Sequence, residues 1–307
     1  MIDIGLVLSR FLHYAATTTL FGAALFPMYA YVDAEPEQEG RWRSKLLLLT
    51  TILALISGFL WFVFSAASMT GSLSDLADGE ALWAVIHDTG FGVVWTGRMA
   101  LATIMLIVLL AVRPLPATVR RAIAVSILAA ILLVSLAGVG HTQVEEGWAS
   151  LVHVAADAAH LLAAGAWLGG LAALAHVLLH YAGKSSGSVS VDQVLLKFSG
   201  MGYVAVATLI GTGVINSWFL VGSISNLTTA LYGQVLLAKL ALFAGMLALA
   251  VVNRFWLVPS IGEVRSGGKP ETPLRRLRHQ VLGEQVLGLA ILAIVSLLGT
   301  LPPAIVP

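Results

Sequence analysis

Eight stretches of the chain are apolar for long enough to cross a lipid bilayer, and polar residues gather mostly between them. A helix covers the hydrocarbon layer in about 20 residues. The stretches run over approximately residues 4–32, 45–70, 92–112, 120–140, 150–180, 198–221, 231–254 and 280–300. None shows the period-two alternation of a strand. Backbone N–H and C=O groups cannot stay unpaired in lipid, so apolar runs of this length predict α-helices. The expectation is an all-α integral membrane protein with eight transmembrane helices.

The cations between these stretches set an orientation. The first loop holds Arg41, Arg43 and Lys45, and the third Arg113, Arg120 and Arg121. The fifth holds Lys184 and Lys197, and the seventh Arg254, Arg265, Lys269, Arg275, Arg276 and Arg278. The even loops carry acids instead, Asp75, Asp78, Glu80 and Asp88 in one and Glu145 and Glu146 in another. Lys and Arg collect on the cytoplasmic side of membrane proteins. Both termini are therefore expected on the non-cytoplasmic side. The start of the chain lacks a basic n-region and a small-residue cleavage site, so its first apolar stretch reads as a retained span.

The stretches also repeat. Phe91-Gly92, Arg98 and Arg113 in the third match Tyr232-Gly233, Lys239 and Arg254 in the seventh, with identical spacing. His13 and Gly22 in the first match His160 and Gly169 in the fifth, again with identical spacing. Ser135–Gly138 matches Ser296–Gly299. Four spans per half keep both halves in one orientation, which predicts two parallel four-helix repeats. The implied organisation is a first half over 1–140, span five with its outer entry loop over 141–181, a Gly/Ser-rich cytoplasmic linker over 182–197, and the remainder of the second half over 198–307.

Composition narrows the function. Hydrophobic residues make up 58% and charged residues 11%, outside the range of soluble domains. A net charge of +1 argues against a nucleic-acid partner. The absence of cysteine excludes thiolate metal sites, disulfides and cysteine nucleophiles. Nothing matches a P-loop, a nucleophile elbow or a zincin motif. The chain reads as a transporter or metal-binding membrane protein rather than an enzyme.

The chemistry-bearing residues lie inside the spans, where an ionisable group is costly and has a partner or a role. His13 sits about nine residues below the outer end of span one, roughly 13 Å deep at 1.5 Å per residue, and His160 at a similar depth in span five. His153, Asp157 and His160 share one helix face, and His141 closes span four on the outer side. Imidazole is a good ligand for copper, zinc or iron. The expected metal site is therefore His13, His141, His153 and His160, with Asp157 orienting an imidazole. His176 and His180 read as interfacial, and Met1 and Met69 as packing or lipid-facing residues. Glu284 reads as an ion-pair partner or part of an exit path. Trp167–Gly170, Gly211-Thr212-Gly213, Asn216 and Trp218 read as structural, with small residues for close helix approach.

Alternatively, His13 and His160 could be the axial ligands of one haem b, with Arg10, Arg98 or Lys239 pairing with its propionates. Such a protein would be redox-active. A scaffold without ligand is the third reading.

His160–Leu171 (His-Leu-Leu-Ala-Ala-Gly-Ala-Trp-Leu-Gly-Gly-Leu) resembles the core motif of the CopD/PcoD copper-resistance proteins. Arg10–Tyr14 with Phe21-Gly22, Gly140-His141, Tyr232-Gly233 with Lys239, Asn253-Arg254, Glu284 and Leu301-Pro302-Pro303 extend the resemblance over most of the chain. It implies copper import across the bacterial inner membrane, the copper ion as substrate and a separate periplasmic CopC-type copper-binding partner.

Overall fold

The structure is a computed structural model that describes residues 1–31, 35–111, 119–138, 147–181, 191–259 and 271–305. Among the described residues every regular element is helical. The main helices are α1 (Ile2–Ala30), α2 (Glu37–Thr70), α3 (Gly79–Asp88), α4 (Gly90–Ala111), α5 (Val119–Val134) and α6 (Gly147–Ala164). They continue with α7 (Gly170–Tyr181), α8 (Val191–Val221), α9 (Ile224–Thr229), α10 (Leu231–Val252) and α11 (Glu271–Leu298). Short π-helical turns, Gly165–Gly169 and Asn253–Leu257, follow α6 and α10.

Among the described residues, seven helical segments are long and apolar enough to cross a membrane. Their outer faces carry large apolar side chains in the open, such as Leu49, Ile56 and Phe59 on α2 and Val204, Ile210 and Val214 on α8. An apolar surface on this scale belongs in lipid, not water. The protein is an all-α membrane protein.

Helix α1 is not among the seven, although its 29 residues exceed what a bilayer needs. Arg10, His13 and the run Thr17–Thr19 dilute its apolar character. The reason is its position. It packs against α2, α5, α7, α11 and the Gly165–Gly169 turn. A helix lined by protein can carry polar residues that a lipid-facing helix cannot.

The closest approach lies where α1 meets the π turn. A Cβ on Gly22 would overlap the backbone of Gly165 and Gly169, and one on Gly169 would overlap that of Thr18 and Gly22. Two glycines here let the backbones touch. Gly92 and Gly233 do the same for α4 against the end of α3 and for α10 against α9. Gly211, by contrast, has nothing within 4 Å of its Cβ position, so the expected close approach does not occur there.

The chain ends meet at one face. Arg10 Nη1 donates to Gly299 O at 2.6 Å, and the Ala304 N–H donates to Leu220 O at 3.0 Å. The loop between α2 and α4, rich in acids and polar residues, folds into a 3-10 turn and α3, whose first turn is capped by the Asp78 carboxylate. Helix α8 begins at Val191, within the stretch read from sequence as a linker.

Candidate functional site

Two polar cages lie inside the bundle. The first is closed. His13 is fully buried on α1 and receives Arg98 Nη2 at its Nε2, at 2.6 Å. A guanidinium only donates, so the imidazole proton sits on Nδ1. It is shared between Ala54 O at 3.0 Å and Ser57 Oγ at 3.2 Å. The Ser57 hydroxyl gives its own proton to Leu53 O at 2.6 Å. Arg98, also buried, donates from Nη1 to Leu132 O at 3.1 Å and Ser135 Oγ at 2.6 Å. Trp61 covers the imidazole at a ring separation of 5.5 Å. Both ring nitrogens of His13 are thus occupied by protein partners.

Arg98 does not snorkel; it ties α4 to α1 and α5. Arg98→Met would leave His13 Nε2 without its donor and take one donor each from Leu132 O and Ser135 Oγ, costing about 3 kcal/mol. The expected result is a clearly lowered melting temperature in detergent. Unchanged melting would mean the contacts contribute nothing net. Arg10 likewise serves structure. Besides Gly299 it donates to Tyr14 Oη at 3.0 Å and lies 5.3 Å from the Trp61 ring centre.

The second cage is open. On α6, His160 Nδ1 lies 2.9 Å from Thr212 Oγ1. Thr212 donates its proton to Thr208 O at 2.6 Å, so its oxygen accepts from His160. The lone pair of His160 is then on Nε2, which has no hydrogen-bond partner among the described residues. One turn earlier, Asp157 accepts from Asn216 Nδ2 at 3.3 Å. The Asn216 carbonyl oxygen is buried without a partner. Lys239 on α10 interacts electrostatically with Asp157 and His160, and His153 and Tyr232 with Asp157. His153 is buried and stacks on Phe219 at 4.7 Å.

The difference in openness comes from packing. Helices α2 and α4 lie against each other, whereas α8 and α10 barely touch. His160, Asp157 and Lys239 are accordingly only half-buried, unlike His13 and Arg98.

Of the residues singled out in the sequence, the structure brings Asp157, His160 and Lys239 together, with His153 beside Asp157. It places His13 and Arg98 in the separate closed cage, and His141 lies outside the described residues. Among the described residues no three His, Cys, Asp or Glu stand close enough to share an ion. Thr212 and Asn216, read as structural from sequence, belong to the open cage, and Ser57 belongs to the closed one. The signal was a hydroxyl beside a glycine on the facing helix. Ser57-Gly58 and Thr212-Gly213 each leave room for an imidazole edge, 3.2 Å from His13 Cε1 and 3.9 Å from His160 Cε1 at the Cβ position.

At the opposite end, His176 stacks on Trp42 at 3.8 Å with Nε2 3.3 Å from Glu39, and His180 is exposed. Glu284, expected to pair with a basic loop residue or to mark an exit path, is buried and bonds Asn253 and Trp167.

Residues 1–151 match the family described as copper resistance protein D-like, N-terminal domain, and residues 192–298 match copper resistance protein D. Copper resistance protein D of Pseudomonas syringae pv. tomato is 32% identical over 96% of this chain and 95% of its own. Inner membrane protein YebZ of Escherichia coli (strain K12) is 30% identical over 96% and 97%. Copper transport protein CutJ of Bacillus subtilis (strain 168) is 26% identical over 81% of this chain but 46% of its own. No solved structure matches.

Proposed function

Because the chain belongs to the copper resistance protein D family, we propose that it handles copper at the bacterial inner membrane and imports it through the open cage. The observation that carries this reading is the set of acceptors with capacity to spare there: His160 Nε2 and the Asn216 carbonyl oxygen, both without a partner among the described residues, and the Asp157 carboxylate, which accepts from Asn216 Nδ2. Imidazole nitrogen and carboxylate suit copper. Asn216 and Thr212 act as the supports that fix the two ligands. Lys239 offsets Asp157 when no copper is present, so a copper ion exchanges with a charge already balanced. Such a site is of modest strength, as transport requires, since the ion must also leave. His153 stands on the route from the periplasmic side, where a separate CopC-type protein delivers the metal.

In this reading α1 is the eighth span. The meeting of the chain ends at one face supports an even number of crossings, with both termini periplasmic. The two cages support a parallel duplication divided at 1–140 and 141–307, with 182–197 linking span five to the remainder of the second half at the cytoplasmic side. His13, Ser57 and Arg98 in one half correspond to His160, Thr212 and Lys239 in the other. The first cage has closed into structure and the second has kept its ligands. A haem b shared between His13 and His160 finds no such support, since His13 has no free ring nitrogen.

Titration of the purified protein with copper, followed by removal of free metal, tests the reading. The expected result is about one retained copper per chain with no Soret band. No retained copper, or a Soret band lost in His160→Ala, would overturn it.

A further inference from the structure

A cavity of about 340 Å³ opens between α8 and α10 on the cytoplasmic side of the open cage. Its volume is that of a small-molecule site. Its wall is almost wholly apolar and includes the rings of Trp167, Phe198, Tyr203 and Phe255. At its inner boundary the apolar character ends on two buried polar residues. Glu284 on α11, 3% exposed, accepts from Asn253 Nδ2 and from Trp167. Asn253 itself is 8% exposed, and its carbonyl oxygen is buried with no partner among the described residues.

An orphaned amide oxygen in an apolar cavity costs about 1–3 kcal/mol unless something donates to it. Lipid acyl chains could fill the volume but have no donor. Trp167 and the Asn253 amide nitrogen already serve Glu284, and the cavity's other strong donor, Arg254, gives its Nε to Tyr203 Oη at 3.2 Å, so at Asn253 the boundary offers an acceptor and asks for a hydroxyl. Flat aromatic walls favour a flat aromatic head. The opening lies between two helices that face lipid, so the ligand arrives from the membrane and carries an alkyl tail.

We propose that this cavity binds an alkyl-substituted hydroquinone or phenol, whose hydroxyl donates to the Asn253 carbonyl oxygen beside Glu284. The site is distinct from the copper cage and does not depend on it. No electron transfer is required for binding.

The test uses the full chain in phosphatidylcholine nanodiscs titrated with 2-decyl-1,4-hydroquinone, with empty nanodiscs as reference. Bound ligand is counted after removal of the free compound. The expected result is saturable binding of about one equivalent above the reference. The dimethyl ether of the same compound, which cannot donate, should bind at least about 10-fold more weakly. Ala207→Phe projects a ring into the cleft from an exposed, lipid-facing position and should abolish the saturable component without lowering the melting temperature. Asn253→Leu should erase the difference between hydroquinone and ether. Equal binding of the two compounds by the unmodified protein, or no excess over empty nanodiscs, would overturn the proposal and leave the cavity to bulk acyl chains.

Discussion

Gly22→Ala is expected to yield no stable protein at ordinary growth temperature. One methyl group placed there meets the backbone of the Gly165–Gly169 turn, not the end of a flexible side chain. Relief requires α1 to move away from the turn, and α1 also contacts α2, α5, α7 and α11. Overpacking of a tight core costs about 1–3 kcal/mol and more where backbone is struck. The same substitution at Gly169 should behave alike. Gly200→Ala and Gly211→Ala serve as controls, because their Cβ positions face open space. Alanine there should be neutral or stabilising by about 1 kcal/mol through helix propensity. Fluorescence-detected size exclusion and thermal melting in detergent read all four. A Gly22→Ala protein that melts like the controls would show that the two backbones are not in contact.

The two caged histidines, His13 and His160, should fail in opposite ways. His160→Ala removes the ligand that the open cage offers, and copper affinity should fall by at least about 100-fold, beyond the 10–100-fold typical of losing an outer partner. Thr212→Val removes only the hydroxyl that orients the ring and should cost about 10-fold. Both variants should keep nearly normal melting. His13→Ala should retain copper yet lose stability by about 2–3 kcal/mol, because Arg98 and Ala54 O lose a buried partner. Copper retention and melting measured on the same preparations separate the cases. If His13→Ala loses copper while keeping its melting temperature, the assignment of the two cages is reversed.

The membrane-crossing helices were legible because lipid imposes length and apolarity on any segment facing it. Lipid-facing α2, α4 and α10 follow that rule closely. The identity of His160, Asp157 and Lys239 as one cluster was half legible. His153, Asp157 and His160 share a helix face by simple periodicity. Which neighbour that face meets depends on helix rotation and on the gap between α8 and α10, and neither leaves a mark in apolar periodicity. For the same reason His13 looked equivalent to His160, although Arg98 closes its cage and Lys239 leaves the other open. The break at Gly165–Gly169 was visible as a run of small residues but not as a π turn, because that geometry answers to the backbone of α1 rather than to local preference.

The enclosed position of α1 carries a consequence for how the protein is made. Its buried histidine is satisfied by a residue 85 positions later, and Arg10 by one 289 positions later. When α1 leaves the ribosome neither exists, and lipid offers no substitute for either; only Tyr14, on α1 itself, is at hand for Arg10. Its final seat is therefore filled only after α11 has been synthesised, so α1 settles later than many of the helices made after it.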